Sequence, residues 1–159
     1  MRKALLFISA CMIALLPFPG SGFENDMDTN RKLPPCPDSF NCVSSQSTDE
    51  AHYIAPLSYE GDATRARQAL VSIIQSTDRA NIVTAEDNYI RAEFTSLVFR
   101  FVDDVEFSLN ADNNTIDVRS ASRKGHYDFG VNRKRVEDIR KQLEKERGAG
   151  LNEREGSGS

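Results

Sequence analysis

Between Ile90 and Val118 the apolar side chains return at every second position. Ile90, Ala92 and Phe94 share one phase, Val105, Phe107 and Leu109 a second, and Ile116 and Val118 a third. Strands place alternate side chains on opposite faces, so this period of two specifies half-buried strands and excludes a helix over the same residues. The phase cannot be kept throughout. Leu97, Phe99 and Phe101 are apolar but odd-numbered, and a strand that changes faces needs a bulge or a break, placed here at Thr95-Ser96. Asn110 to Asn114 is rich in Asn and Asp and reads as a turn. Upstream, Ala80 to Ala85 and Asn88 to Phe94 flank Glu86-Asp87 and read as a hairpin.

Helical periodicity brackets these strands. Ala66, Leu70, Ile73 and Ile74 lie on one stripe of a helix over Asp62 to Ser76, with Asp62 as N-cap. Val136, Ile139 and Leu143 line the buried side of a helix from Asn132, an N-cap candidate, to about Glu146. Helices at the two ends of a run of strands, not alternating with them, disfavour a doubly wound parallel sheet. The expected fold is α+β: a two-layer sandwich, with an antiparallel sheet of about four to five strands covered by two helices.

The chain has 159 residues and no tryptophan, which suits one domain with tails. Met1, Arg2 and Lys3 precede an apolar run from Ala4 to Leu16 that is broken by Pro17 and Pro19 and followed by Gly20-Ser21-Gly22. The run is too short to span a bilayer comfortably and reads as a signal peptide over residues 1–22. Ile8-Ser9-Ala10-Cys11 resembles a lipoprotein cleavage box, but the few apolar residues before it and the apolar residues left after it make anchoring at Cys11 the weaker reading. An exported chain, periplasmic or secreted, is expected, with no membrane span in its mature part. Residues 23–32 read as a flexible lead, 33–147 as the domain and 148–159 as a disordered tail.

Cys36 and Cys42 remain once Cys11 is removed, and in an exported chain they read as a disulfide that staples the Pro-rich segment Leu33 to Val43. The chain-entropy description assigns about 2 kcal/mol to so short a loop. The two cysteines with His52 and His126 have the ligand count of a zinc site, but five residues between the cysteines exceed the usual knuckle spacing, so no metal is expected. His52 reads as a hydrogen-bonded surface histidine at the start of an edge strand, His52 to Tyr59.

Arg119 to Arg135 carries six basic residues (Arg119, Arg123, Lys124, Arg133, Lys134, Arg135) against Asp128 alone. Without residues 1–22 the chain has 18 basic and 24 acidic side chains, so this stretch is a basic island in an acidic protein. Such an island suits a local anion or an ion-pair network and not non-specific nucleic-acid binding. Its candidate ligand-binding residues are Arg119, Ser120, Ser122, Arg123, His126, Asp128, Asn132, Arg133 and Arg135, with Asp103 and Asp104 as charge partners. Gly125 to Gly130 is not a phosphate loop, since it lacks the Gly-rich run and the Lys-Ser/Thr ending, but it delivers the chain to a helix N-terminus, where an anion is favoured. Adjacent Asp103 and Asp104 point to opposite faces of a strand and cannot share one acid/base site unless a turn lies there. Ser120 or Ser122 with His126 and Asp128 has the residue types of a nucleophilic triad without the strand–nucleophile–helix elbow. Arg119, Arg123 and Asp104 are expected to form one charge cluster at the end of the last strand.

Three segments, CPDSFNCVSS at Cys36 to Ser45, FRFVDDVEF at Phe99 to Phe107 and RSASRKGHYDFGVNRKRVEDIR at Arg119 to Arg140, resemble the DUF1499 family of uncharacterised bacterial and plant proteins. The resemblance covers about Pro35 to Leu143. It departs from the family pattern at Phe40, where a proline is usual. It implies a fold and the location of a site, and brings no activity with it. Two functions therefore stand. The first is an exported non-catalytic module that binds an anionic small molecule or a partner protein through the Arg119–Arg135 face. The alternative is a hydrolytic enzyme acting on a phosphate- or carboxylate-bearing substrate with Asp103, Asp104 and His126. No cofactor is expected.

Overall fold

The structure is a computed structural model that describes residues 31–156. The leader assigned to residues 1–22, Cys11 within it, and the lead up to residue 30 lie outside the described residues. The elements are β1 (Cys42–Ser44), β2 (Leu57–Ser58), α1 (Ala63–Ser76), β3 (Ala80–Ala85), β4 (Tyr89–Thr95), β5 (Val102–Asn110), β6 (Thr115–Ser122) and α2 (Val131–Gly156). They form the expected α+β architecture. The sheet is antiparallel with the order β1-β6-β5-β4-β3, and β2 also pairs with β6. Two short strands, β1 opposite Arg119 to Ala121 and β2 opposite Thr115 and Ile116, thus share one edge of β6.

The alternating pattern sets the register. Ile90 faces Phe107, Ala92 faces Val105, Phe107 faces Val118 and Leu109 faces Ile116. These side chains are almost fully buried and form one core with Leu70, Ile73 and Ile74 of α1 and Val136, Ile139 and Leu143 of α2. Both helices therefore lie on the same side of the sheet. Asp62 caps α1 as expected, its carboxylate accepting from the Thr64 amide.

Several elements depart from the expectation. Between His52 and Tyr59 only Leu57 and Ser58 are a strand, since Pro56 offers no N–H to a ladder. His52 is buried, not on the surface: its Nδ1 lies 3.0 Å from the Cys42 carbonyl oxygen and its ring stacks on Phe40. The break after Thr95 is present, but Leu97 and Phe99 do not resume an inward face. Residues 96–101 form an exposed hairpin loop, closed by the Ser96 amide donating to the Phe101 carbonyl. The last helix continues to Gly156, through residues whose composition reads as an irregular tail. Asn132 is not its cap. Asp128 does that work, accepting from the backbone amides of Gly130 and Asn132. Gly130 sits at φ +77°, a left-handed conformation that costs a glycine nothing and lets the loop turn directly into Val131.

Candidate functional site

The end of β6, the loop after it and the first turn of α2 gather most of the candidate residues, but divide them between the two faces of the sheet. Asp103 and Asp104 begin this division. Consecutive strand residues point opposite ways, and here each carboxylate finds arginine on its own side.

On the helix side Asp103 lies under α2, only 3% exposed, and pairs with Arg135 from the helix's first turns. Arg135 also donates to the Ser120 hydroxyl (2.9 Å) and to the Asn132 side-chain oxygen (2.6 Å), and its guanidinium lies over the Phe94 ring. Ser120 donates to that same Asn132 oxygen at 2.6 Å. The Asn132 amide nitrogen donates to the Asn41 carbonyl, the Ser122 hydroxyl and the Asp128 carboxylate. Asn41 in turn donates to the Gly125 carbonyl at 2.6 Å. This knot joins the cysteine-bearing segment, the end of β6, the loop and α2. Asn132 and Ser120 are fully buried, and a buried polar side chain is tolerable only when its hydrogen bonds are made. Asn41 was not legible as a member. The one signal was its place beside Cys42, and the Cys36–Cys42 disulfide now fixes that place.

On the open side of the sheet the charges form a ladder across three strands. Asp104 accepts from Arg91 (2.8 Å) and from Arg123 through both Nε (2.7 Å) and Nη2 (2.8 Å), and Arg123 also pairs with Glu93. The Arg123 hydrogen bonds hold the Asp104 carboxyl below its ordinary range, and Arg91 adds to this against the cost of desolvation. Arg123 is correspondingly pushed up by Asp104 and Glu93. The expected cluster of Arg119, Arg123 and Asp104 is thus corrected in one member: Arg119 pairs with Glu106 at 3.2 Å. Its cross-strand partner in the register is Glu106, which separates it from Asp104 by two positions along β5. Glu106 also accepts from the Tyr89 hydroxyl at 2.7 Å, and burial, followed by that hydrogen bond, pushes the phenol up to about 12.

The remaining candidates are placed as follows. Arg133 donates to the backbone carbonyls of Ala51 and Tyr53, and Lys134 pairs with Asp138 one turn on. Lys124 and His126 are exposed, and no hydrogen bond or ion pair among the described residues reaches either. His126 therefore stands apart from Asp103 and Asp104. The hydroxyl of Ser122 is engaged by Asn132 and the carboxylate of Asp128 caps α2, so Ser120, Ser122, His126 and Asp128 do not form a triad. Both sulfurs that a metal would need are joined to each other, and no group of three or more His, Cys, Asp or Glu among the described residues converges as a metal site. No helix of the described residues is long and apolar enough to cross a membrane.

Fold and site together define a small α+β sandwich braced by internal ion pairs on both faces of its sheet. The chain belongs to the DUF1499 family: the family model described as "Protein of unknown function (DUF1499)" matches residues 32–143. No curated protein and no solved structure matches the chain. The three segments that carried the resemblance are the segments that meet in the buried knot and the charge ladder, which gives them a physical reason to occur together.

Proposed function

We propose that the chain is an exported, non-catalytic binding module, delivered by its first 22 residues, in which the Arg119–Arg135 stretch is a framework that holds a recognition surface in place. The observation that carries this reading is the occupancy of the arginines. Arg119, Arg123 and Arg135 each face a carboxylate of the protein itself. An external phosphate or carboxylate would have to displace Glu106, Asp104 or Asp103 and leave that acid unpaired, at a cost that offsets the new contact. The same occupancy speaks against the hydrolase. A general acid or base has to reach substrate with a free lone pair or proton, whereas Asp103 and Asp104 are engaged on opposite faces and His126 lies with neither.

The test is a set of paired thermal melts of the wild type and Arg123→Ala, with and without millimolar phosphate. The expected outcome is a small change in Tm for the variant and no phosphate response in either protein. A wild-type Tm that rises by several degrees with phosphate, and a rise that Arg123→Ala abolishes, would return the stretch to an anion site. Export is tested separately, by the intact mass of the protein recovered outside the cytoplasm, where loss of about the first 22 residues is expected.

A further inference from the structure

One end of the sheet carries apolar side chains that the core does not use. The register brings three segments there. The β4–β5 loop, residues 96–101, joins the strands at Thr95 and Val102. The β6–α2 loop starts beside it, since the Arg123 amide donates to the Val102 carbonyl. Phe40 precedes β1 and bridges to Tyr127 of that second loop. Leu97, Val98 and Phe99 are 71%, 76% and 73% exposed, and Phe129 is 88% exposed, beside exposed Tyr127 and Phe40. Scattered surface apolar residues are ordinary, but a group of this size at one end of a small domain marks an interaction surface.

The chemistry of the occupant can be read from shape and charge. Apart from Phe40, which lines a pocket, the side chains stand on two exposed loops. Phe129 is held there by the backbone: it takes φ +55°, a conformation that bulky residues rarely adopt, and its ring meets Tyr127 edge-on. Phe99 likewise stacks on Phe101. Basic residues without a carboxylate partner among the described residues accompany these rings, Arg100 in the first tip and Lys124 in the second. Two acids of the adjoining segments are already engaged, Glu93 by Arg123 and Asp128 by the amides at the start of α2. Protruding aromatic and aliphatic tips with cations at their base are suited to a bilayer interface: the rings enter the acyl boundary while the long basic side chains stay at the headgroups. Asp38 and Asp78, on the neighbouring segments, offset part of the positive charge, so apolar insertion supplies most of the attraction and anionic lipid tunes it.

We propose that the loops 96–101 and 124–129 form a membrane-docking tip that inserts Leu97, Val98, Phe99, Tyr127 and Phe129 into the surface of an anionic lipid bilayer, with Arg100 and Lys124 at the phosphates. This rests on the reading of the domain as a binding module and names its partner. It accounts for the apolar phase that abandons the core after Thr95, and for the knot that anchors the second loop.

The test uses protein recovered after export, with its N-terminus read by intact mass, in co-sedimentation with unilamellar vesicles of phosphatidylcholine alone or mixed with phosphatidylglycerol. Binding to the mixed vesicles is expected, with a weaker, salt-insensitive residue on phosphatidylcholine. The double substitution Phe99→Ser with Phe129→Ser should weaken binding by a factor of ten or more, roughly the loss of two buried rings. Arg100→Glu with Lys124→Glu should remove the preference for anionic lipid, about fivefold per charge. Both pairs are exposed, so far-ultraviolet circular dichroism and Tm should match the wild type. A wild type that binds neither vesicle overturns the proposal, as does a Phe99/Phe129 variant that binds undiminished. Self-association in sedimentation velocity that the same variant abolishes, without vesicle binding, assigns the tip to a second copy: it overturns the lipid partner and leaves the binding module standing. A phosphate response lost in Arg123→Ala overturns the reading of the Arg119–Arg135 stretch as a framework, while undiminished vesicle binding keeps the tip.

Discussion

Asp103 and Asp104 are neighbours in the chain and lie in different physical worlds. Asp103 is sealed under α2, where one arginine, two hydroxyls and two asparagines complete a closed set of hydrogen bonds. Asp104 lies on the open face, where Arg91 and Arg123 compete for it and water reaches the edges. The comparison teaches that the number of ion pairs is a poor guide to their importance. What matters is whether the group left behind can be resolvated when a pair is broken. Water can reach Arg91 and Arg123, whereas Arg135 is held where little water can enter.

Three substitutions would break or sharpen that comparison. The largest effect is expected from Asp103→Ala, which strands the Arg135 guanidinium in the knot and should cost about 3–5 kcal/mol in urea unfolding. Replacing Asp103 and Arg135 together by Leu and Met should recover much of this, because no charge is then left behind. If the single variant is as stable as the wild type, the knot is not the framework described here.

Next is Asp104→Asn, expected to cost about 1–2 kcal/mol near neutral pH, since two exposed arginines lose a shared partner. Its pH dependence gives the sharper reading. The folded-state Asp104 carboxyl lies below its ordinary value, so the wild type binds fewer protons folded than unfolded as acid is added. Its stabilisation is present above the unfolded value near ~4 and is lost as pH falls through the folded one. The wild type and Asp104→Asn should therefore converge in strong acid. Parallel curves down to the lowest pH would mean that Asp104 owes nothing to its arginines.

The third effect is confined to alkaline pH. Tyr89 is held protonated by burial and by Glu106, to about 12 against an ordinary value of 10. Its contribution is complete below the unfolded value, and is lost as pH rises through the folded one. Between those values the wild type should lose up to ~2 kcal/mol more than Tyr89→Phe, with the lysine background common to both. Equal slopes would place the phenol in water.

How much of this was legible follows from the range of the forces involved. The period of two from Ile90 to Val118 determined strands, their inward faces and the opposed directions of Asp103 and Asp104, because side-chain alternation is local geometry. The stripe through Ala66, Leu70 and Ile74 and the cap at Asp62 determined α1 in the same way. Cys36 and Cys42, the two cysteines beyond residues 1–22, determined their bond. Composition even indicated that the basic island would meet acids. Which acid meets which arginine was decided only by the register: two positions along β5 separate Glu106, which meets Arg119, from Asp104, which meets Arg123, and no local pattern encodes an offset between strands. Asn132 reads as a cap by residue type, yet Asp128 reached the free amides first, and tertiary packing turned the Asn132 side chain inward to Asn41 and Ser120. Likewise Leu97, Val98 and Phe99 carry an apolar signal that local reasoning assigns to a core. Only the packing of the sheet, with both helices already filling its one covered face, left those side chains outside.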